Sequence, residues 1–125
     1  MKNLINTKKA PAAIGPYSQG IETDSFVFTS GQLPINNETG ELETADIKRA
    51  AKYSIENCKA ILEAAGLSLG NVVKTTVFMT DLADFTAMNE VYNSYFPVNP
   101  PARSCVQVAA LPKGAKIEIE TLAVK

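Results

Sequence analysis

Between Asp46 and Ala65 the apolar residues Ile47, Ala50, Ala51, Ile55, Cys58, Ile61, Leu62 and Ala65 recur at three- and four-residue steps. That spacing lays one apolar stripe along a helix, so a first helix is predicted from about Asp46 to Ala65, with Gly66 as its stop. A second stripe, Phe85, Met88, Asn89, Tyr92 and Phe96, predicts a helix from about Leu82 to Phe96 that Pro97 ends. Val72 to Met79, lying between the two, is apolar enough for a strand covered on both faces. Shorter runs at Leu4–Thr7, Ser18–Thr23 and Phe26–Ser30 read as strands, the last two joined into a hairpin by Asp24-Ser25. The loop after the first of them carries Pro11, Gly15 and Pro16 and delivers Tyr17 to the next strand. Leu33 to Leu42, punctuated by Pro34, Asn36, Asn37 and Gly40, reads as an irregular connection. Beyond the second helix, Pro101–Leu111 and Lys116–Glu120 read as two strands either side of a Pro/Gly break.

The order of elements is two or three strands, helix, strand, helix, two strands, with no internal repeat, linker or low-complexity segment. A chain of 125 residues with 46% hydrophobic content is of single-domain size and can form an ordinary core. One antiparallel or mixed sheet with both helices on one face is the simplest α+β packing, since two helices cover only one side. If the other face carries Val, Ile and Leu, a partner subunit is its expected cover.

Composition narrows the chemistry. A net charge of -1 and a pI near 5.4, with basic clusters no larger than Lys8-Lys9 and Lys48-Arg49, offer no footprint for a phosphate backbone. There is no histidine, which excludes Ser-His-Asp and Cys-His nucleophile systems and any imidazole-ligated zinc. Cys58 and Cys105 form neither a C-x-x-C pair nor a four-ligand set. Met1 to Thr7 has no apolar h-region and no run is long enough to cross a bilayer, so a cytoplasmic, soluble protein with reduced thiols is expected. Cys58 falls inside the first helical stripe and is expected in the core.

Candidate chemistry concentrates near the C-terminus. Arg103 is the only arginine in that half, and its permanently charged planar fork suits a carboxylate held bidentately. Glu118 sits on the neighbouring predicted strand, on the same face as Lys116 and Glu120. Surface charges of no special role have the same sequence signature. Were Pro112–Gly114 to close a simple hairpin, Arg103 would fall about five residues, roughly 16 Å, from Glu118. That is too far for one small substrate, so either the connection is not a tight hairpin or the two groups meet by another route, such as between subunits.

Three segments carry a family resemblance. Pro101-Ala102-Arg103-Ser104 leading to Ile117-Glu118-Ile119, Ile14-Gly15-Pro16-Tyr17-Ser18-Gln19-Gly20, and Thr29-Ser30-Gly31-Gln32-Leu33-Pro34 resemble the motifs of the RidA (YjgF) family of reactive-intermediate deaminases, in the same order. Val73-Lys74-Thr75-Thr76-Val77-Phe78 is similar too, so the resemblance spans nearly the whole chain. It implies a single chorismate-mutase-like domain over residues 1–125, assembled as a homotrimer with sites at subunit interfaces. It also implies hydrolysis of short 2-imino acids to 2-keto acids and ammonia, with no metal or organic cofactor. Arg103 would bind the substrate carboxylate and Glu118 would activate water. Tyr17, Ser30, Gly31, Asn89 and Cys105 would complete the substrate site. A noncatalytic ligand-sensing or partner-binding trimer is the competing reading. Ribonuclease activity, also attached to the family, fits poorly with an acidic chain that lacks histidine.

Overall fold

The computed structural model describes residues 1–125. Its main sheet has six strands: β1 (Asn3–Ile5), β2 (Gly20–Glu22), β3 (Phe26–Thr29), β6 (Val72–Met79), β7 (Ala102–Gln107) and β8 (Ile117–Val124). Two further two-residue strands, β4 (Ile35–Asn36) and β5 (Glu41–Leu42), pair with each other. The segment expected to be an irregular connection is therefore a small hairpin, whose turn is possible because Gly40 takes a positive φ of 76°.

Helix α1 (Ile47–Ala64) starts where Asp46 accepts the backbone N–H groups of Lys48 and Arg49, at 2.9 and 3.3 Å. It ends where Gly66 takes φ 78° and Leu67 N–H donates to Leu62 O at 3.0 Å, closing the last turn. The expected stripe is the buried one: Ala50, Ala51, Ile55, Cys58, Ile61 and Leu62 are all within 1% of full burial. The second predicted helix divides. Leu82–Asp84 forms a 3-10 turn, capped by Asp81, before α2 (Phe85–Tyr95) begins.

Sheet order is β1-β2-β3-β8-β6-β7, antiparallel throughout except for the parallel pair β6–β7 that α2 connects. The C-terminal strand thus enters the middle of the sheet rather than folding back on β7. No tight hairpin joins β7 to β8; β6 separates them. Both helices pack on one face against Val27, Val77, Met79, Ile117, Ile119 and Ala123, all essentially buried. The opposite face carries Leu4, Phe26, Phe28, Val73 and Val106, each at least 41% exposed. No helix is long and apolar enough to cross a membrane.

Candidate functional site

Strand register decides which candidate residues can meet. Arg103 on β7 lies opposite Thr75 of β6, while Glu118 on β8 lies opposite Phe78 of the same strand. The two are therefore two strands and three residues apart, about 14 Å between Cα positions at ordinary sheet spacings. Parity separates them further. Thr75 is buried beneath α2, whereas Glu118 alternates with the helix-covered Ile117 and Ile119 and projects to the open face. Within one chain, Arg103 and Glu118 belong to opposite sides of the sheet.

On the helix side, Arg103 has a shell of neutral groups. Its Nη1 donates to Asn89 Oδ1 at 2.7 Å, and its Cζ stands 4.7 Å from the ring centroid of Tyr92 and 5.4 Å from that of Phe85. No carboxylate lies within 4.0 Å of it, whereas the chain's other arginine, Arg49, pairs with Glu43 and Asp46. Asn89, Tyr92, Asn93, Pro100, Pro101 and Arg103 line an open recess of about 490 Å³. Cys105, two residues along β7, shares the parity of Arg103 and sits 3.8 Å from Met79 Sδ. Burial pushes its thiol up from the ordinary 9.0, with Arg103 the smaller cause in the other direction, so the site disfavours the thiolate. Cys58 is more extreme. Full burial pushes its thiol up to about 12, and it donates to Ile119 O at 3.3 Å as a core residue.

On the open side, Glu118 is half-buried against Gly31. Burial is the larger cause, and the charge of Glu120 the smaller, of a carboxyl pKa raised above 4.5. Gly31 and Tyr17 line a cavity of about 300 Å³ together with Ile14, Leu33, Ile35 and Lys113. Tyr17 is half-exposed at its rim. The Ser30 hydroxyl donates to Ser18 O at 2.5 Å and its N–H to Gln19 O at 2.8 Å, so both of its donors hold the loop that carries Tyr17.

The seven candidates thus fall into two clusters: Arg103, Asn89 and Cys105 by α2, and Tyr17, Ser30, Gly31 and Glu118 by the N-terminal loop. Sequence reading missed four residues that shape them. Phe85 and Tyr92 fit the helical stripe and carry no separate signal, yet with Asn89 they follow i, i+4, i+7 spacing and so share the face turned to Arg103. Lys113, at φ 60°, gave no sequence signal as a cavity residue. Gln19 is 2% exposed and spends its amide on the backbone of Thr7, Ala10 and Pro11. The sequence offered only a glutamine just after Gly-Pro-Tyr-Ser; its burial is visible in the fold alone.

Residues 7–125 match the protein family described as Endoribonuclease L-PSP. A relative from Escherichia coli K12 named 2-iminobutanoate/2-iminopropanoate deaminase is 52% identical over 100% of this chain and 99% of its own length. Among solved structures, E. coli TdcF with bound serine is 54% identical with a TM-score of 0.94, covering 98% of each chain. RidA from an Antarctic Psychrobacter is 49% identical with a TM-score of 0.94, covering 98% of this chain and 99% of that one. Identity of that order along the full length, on one backbone, makes the chain a member of the RidA (YjgF) family.

Proposed function

We propose that the chain is a cofactor-independent hydrolase that converts short 2-imino acids to 2-keto acids and ammonia, at a site shared between two copies of the chain. The observation that carries the reading is an arginine held by an amide and two aromatic rings with no acid beside it. Its remaining N–H donors are available to a small carboxylate. Support comes also from the related TdcF structure described with serine, a ligand with a carboxylate and an α-nitrogen. The exposed apolar face suits burial against further copies, in the homotrimer that the family resemblance implies.

In this reading Arg103 of one copy fixes the substrate carboxylate, and Glu118 of another faces the imine carbon. Water held by the Glu118 carboxylate attacks C2 of the protonated imine while its proton passes to that carboxylate, giving a 2-amino-2-hydroxy acid. The protonated Glu118 returns the proton to the nitrogen. The C–N bond then breaks as the hydroxyl proton passes back to the Glu118 carboxylate and the oxygen becomes the keto oxygen; the ammonia that leaves takes that proton as ammonium and restores the base. Burial first, and the charge of Glu120 second, raise this carboxyl above 4.5, which makes it a stronger base toward the attacking water than an ordinary glutamate.

The test is to generate 2-iminobutanoate with a threonine dehydratase and follow its decay. Wild type should accelerate decay, Arg103→Ala should not, and Glu118→Gln should lose turnover by about 100-fold or more while still binding 2-oxobutanoate. Decay unaffected by wild-type protein would refute the hydrolase and leave a ligand-sensing role.

A further inference from the structure

We infer that Phe85 and Tyr92 are positioning residues for Arg103, an aromatic cradle that holds the guanidinium in place without using the donors a carboxylate ligand needs. The inference rests on the clamp role proposed for Arg103 and names the device behind it.

An arginine on an edge strand has four rotatable bonds and loses considerable freedom when it is fixed. The usual fixing partner is a carboxylate, which takes the guanidinium edge bidentately. At Arg103 such a partner would occupy the donors that bind an anionic substrate. The chain uses π faces instead. Cζ stands over the rings of Tyr92, at 4.7 Å, and Phe85, at 5.4 Å, both within cation–π range. A ring face attracts the cation through its quadrupole and leaves the in-plane N–H groups of the fork unpaired. Asn89 takes one of them, at 2.7 Å, with a neutral oxygen that does not cancel the charge.

The cradle is itself anchored. Tyr92 is 6% exposed, its hydroxyl shares a 2.7 Å hydrogen bond with the buried Thr75 hydroxyl, and its ring lies 4.7 Å from that of Phe96. Burial raises the Tyr92 phenol above 10.0, so it remains neutral and bonded through the neutral pH range. Thr75 is the β6 residue directly opposite Arg103. One strand position therefore sets both the backbone level of the arginine and the ring beneath its head group. Phe85 is half-buried at the first turn of α2, where its ring borders the core and makes no hydrogen bond, so a change that keeps its apolar bulk tests the π face alone.

Phe85→Leu keeps apolar bulk and removes the π face. It is expected to raise KM for 2-iminobutanoate and Kd for 2-oxobutanoate between about 2-fold and 30-fold, the span that a partly desolvated cation–π contact implies. kcat should change less than KM, since the interaction is present before and during reaction. Phe85→Tyr should restore both constants, and the thermal midpoint should move little in either variant. In an Arg103→Lys background the effect of Phe85→Leu should shrink, because an ammonium has no plane to orient. Equal losses in both backgrounds, or no loss in the wild-type background, would overturn the cradle. If Arg103→Lys alone leaves KM and Kd unchanged, the clamp reading fails; if it weakens both while Phe85→Leu does not, only the cradle fails.

Discussion

A methyl group on Gly31 would stand 2.7 Å from Glu118 Cδ and 2.9 Å from its Oε2, a contact relieved only if the carboxylate turns away. Gly31→Ala is therefore expected to lower turnover of 2-iminobutanoate by about tenfold or more, near 1.4 kcal/mol of barrier, with the fold intact by circular dichroism. Full turnover in that variant would show that Glu118 does not act from where it lies. The same carboxyl sets a pH dependence. A general base works deprotonated, and the Glu118 pKa is raised above 4.5, first by burial and then by the charge of Glu120. The acid limb of kcat/KM should accordingly rise with pH through a value above 4.5. Glu120→Gln removes the like charge and should shift that limb to lower pH, which a profile from pH 4 to 7 would reveal. A limb that stays put would remove Glu120 from the account.

At the scale of elements, the loop bearing Tyr17 depends on one side chain. Gln19 Nε2 donates to Thr7 O, Ala10 O and Pro11 O at 3.0, 3.2 and 2.8 Å, and its Oε1 accepts Thr7 N–H at 2.7 Å. Gln19→Ala leaves those backbone groups to find water and should cost about 2 kcal/mol of stability. Amide exchange at Thr7 should accelerate more than exchange in α1, and equal acceleration everywhere would mean that Gln19 stabilises the core rather than the loop. That strap also explains why β1 ends at Ile5 rather than running to Thr7: the backbone of Thr7 bonds the Gln19 amide instead of β2. Long periodic elements were legible because local spacing determines them. Val72–Met79 was read to the residue, and α1 to within a residue at each end. β4 and β5 escaped because two-residue strands have no periodicity to detect. The place of β8 between β3 and β6 escaped for another reason: pairing of residues far apart in sequence follows from which faces the helices cover, and alternation along a single strand does not encode its neighbours. The arginine's partners hid in plain view, since Phe85 and Tyr92 fit the helical stripe as well as they fit a site.

At the scale of the whole molecule, the clusters around Arg103 and Glu118 face away from each other, and the sheet face bearing Glu118 also bears Phe26 and Phe28, 41% and 44% exposed and 6.2 Å apart at their ring centroids. An active site built from both clusters requires at least two chains, whatever their number. That requirement has a consequence independent of any picture of the interface. Arg103→Ala and Glu118→Gln should each be inactive alone, yet an equimolar mixture, unfolded and refolded together, should regain activity. When copies assort at random, a site needs its arginine donor from the Glu118→Gln population and its glutamate donor from the Arg103→Ala population. Each has probability one half, so about a quarter of wild-type activity should return. Were both groups drawn from the same chain, every site in the mixture would carry one defect or the other and no activity would appear. Phe28→Glu on the apolar face supplies the physical link, because a charge buried there should weaken assembly. Sedimentation should show smaller particles, and turnover should fall with dilution as chains separate, while full turnover by a dilute monomer would restore a one-chain site.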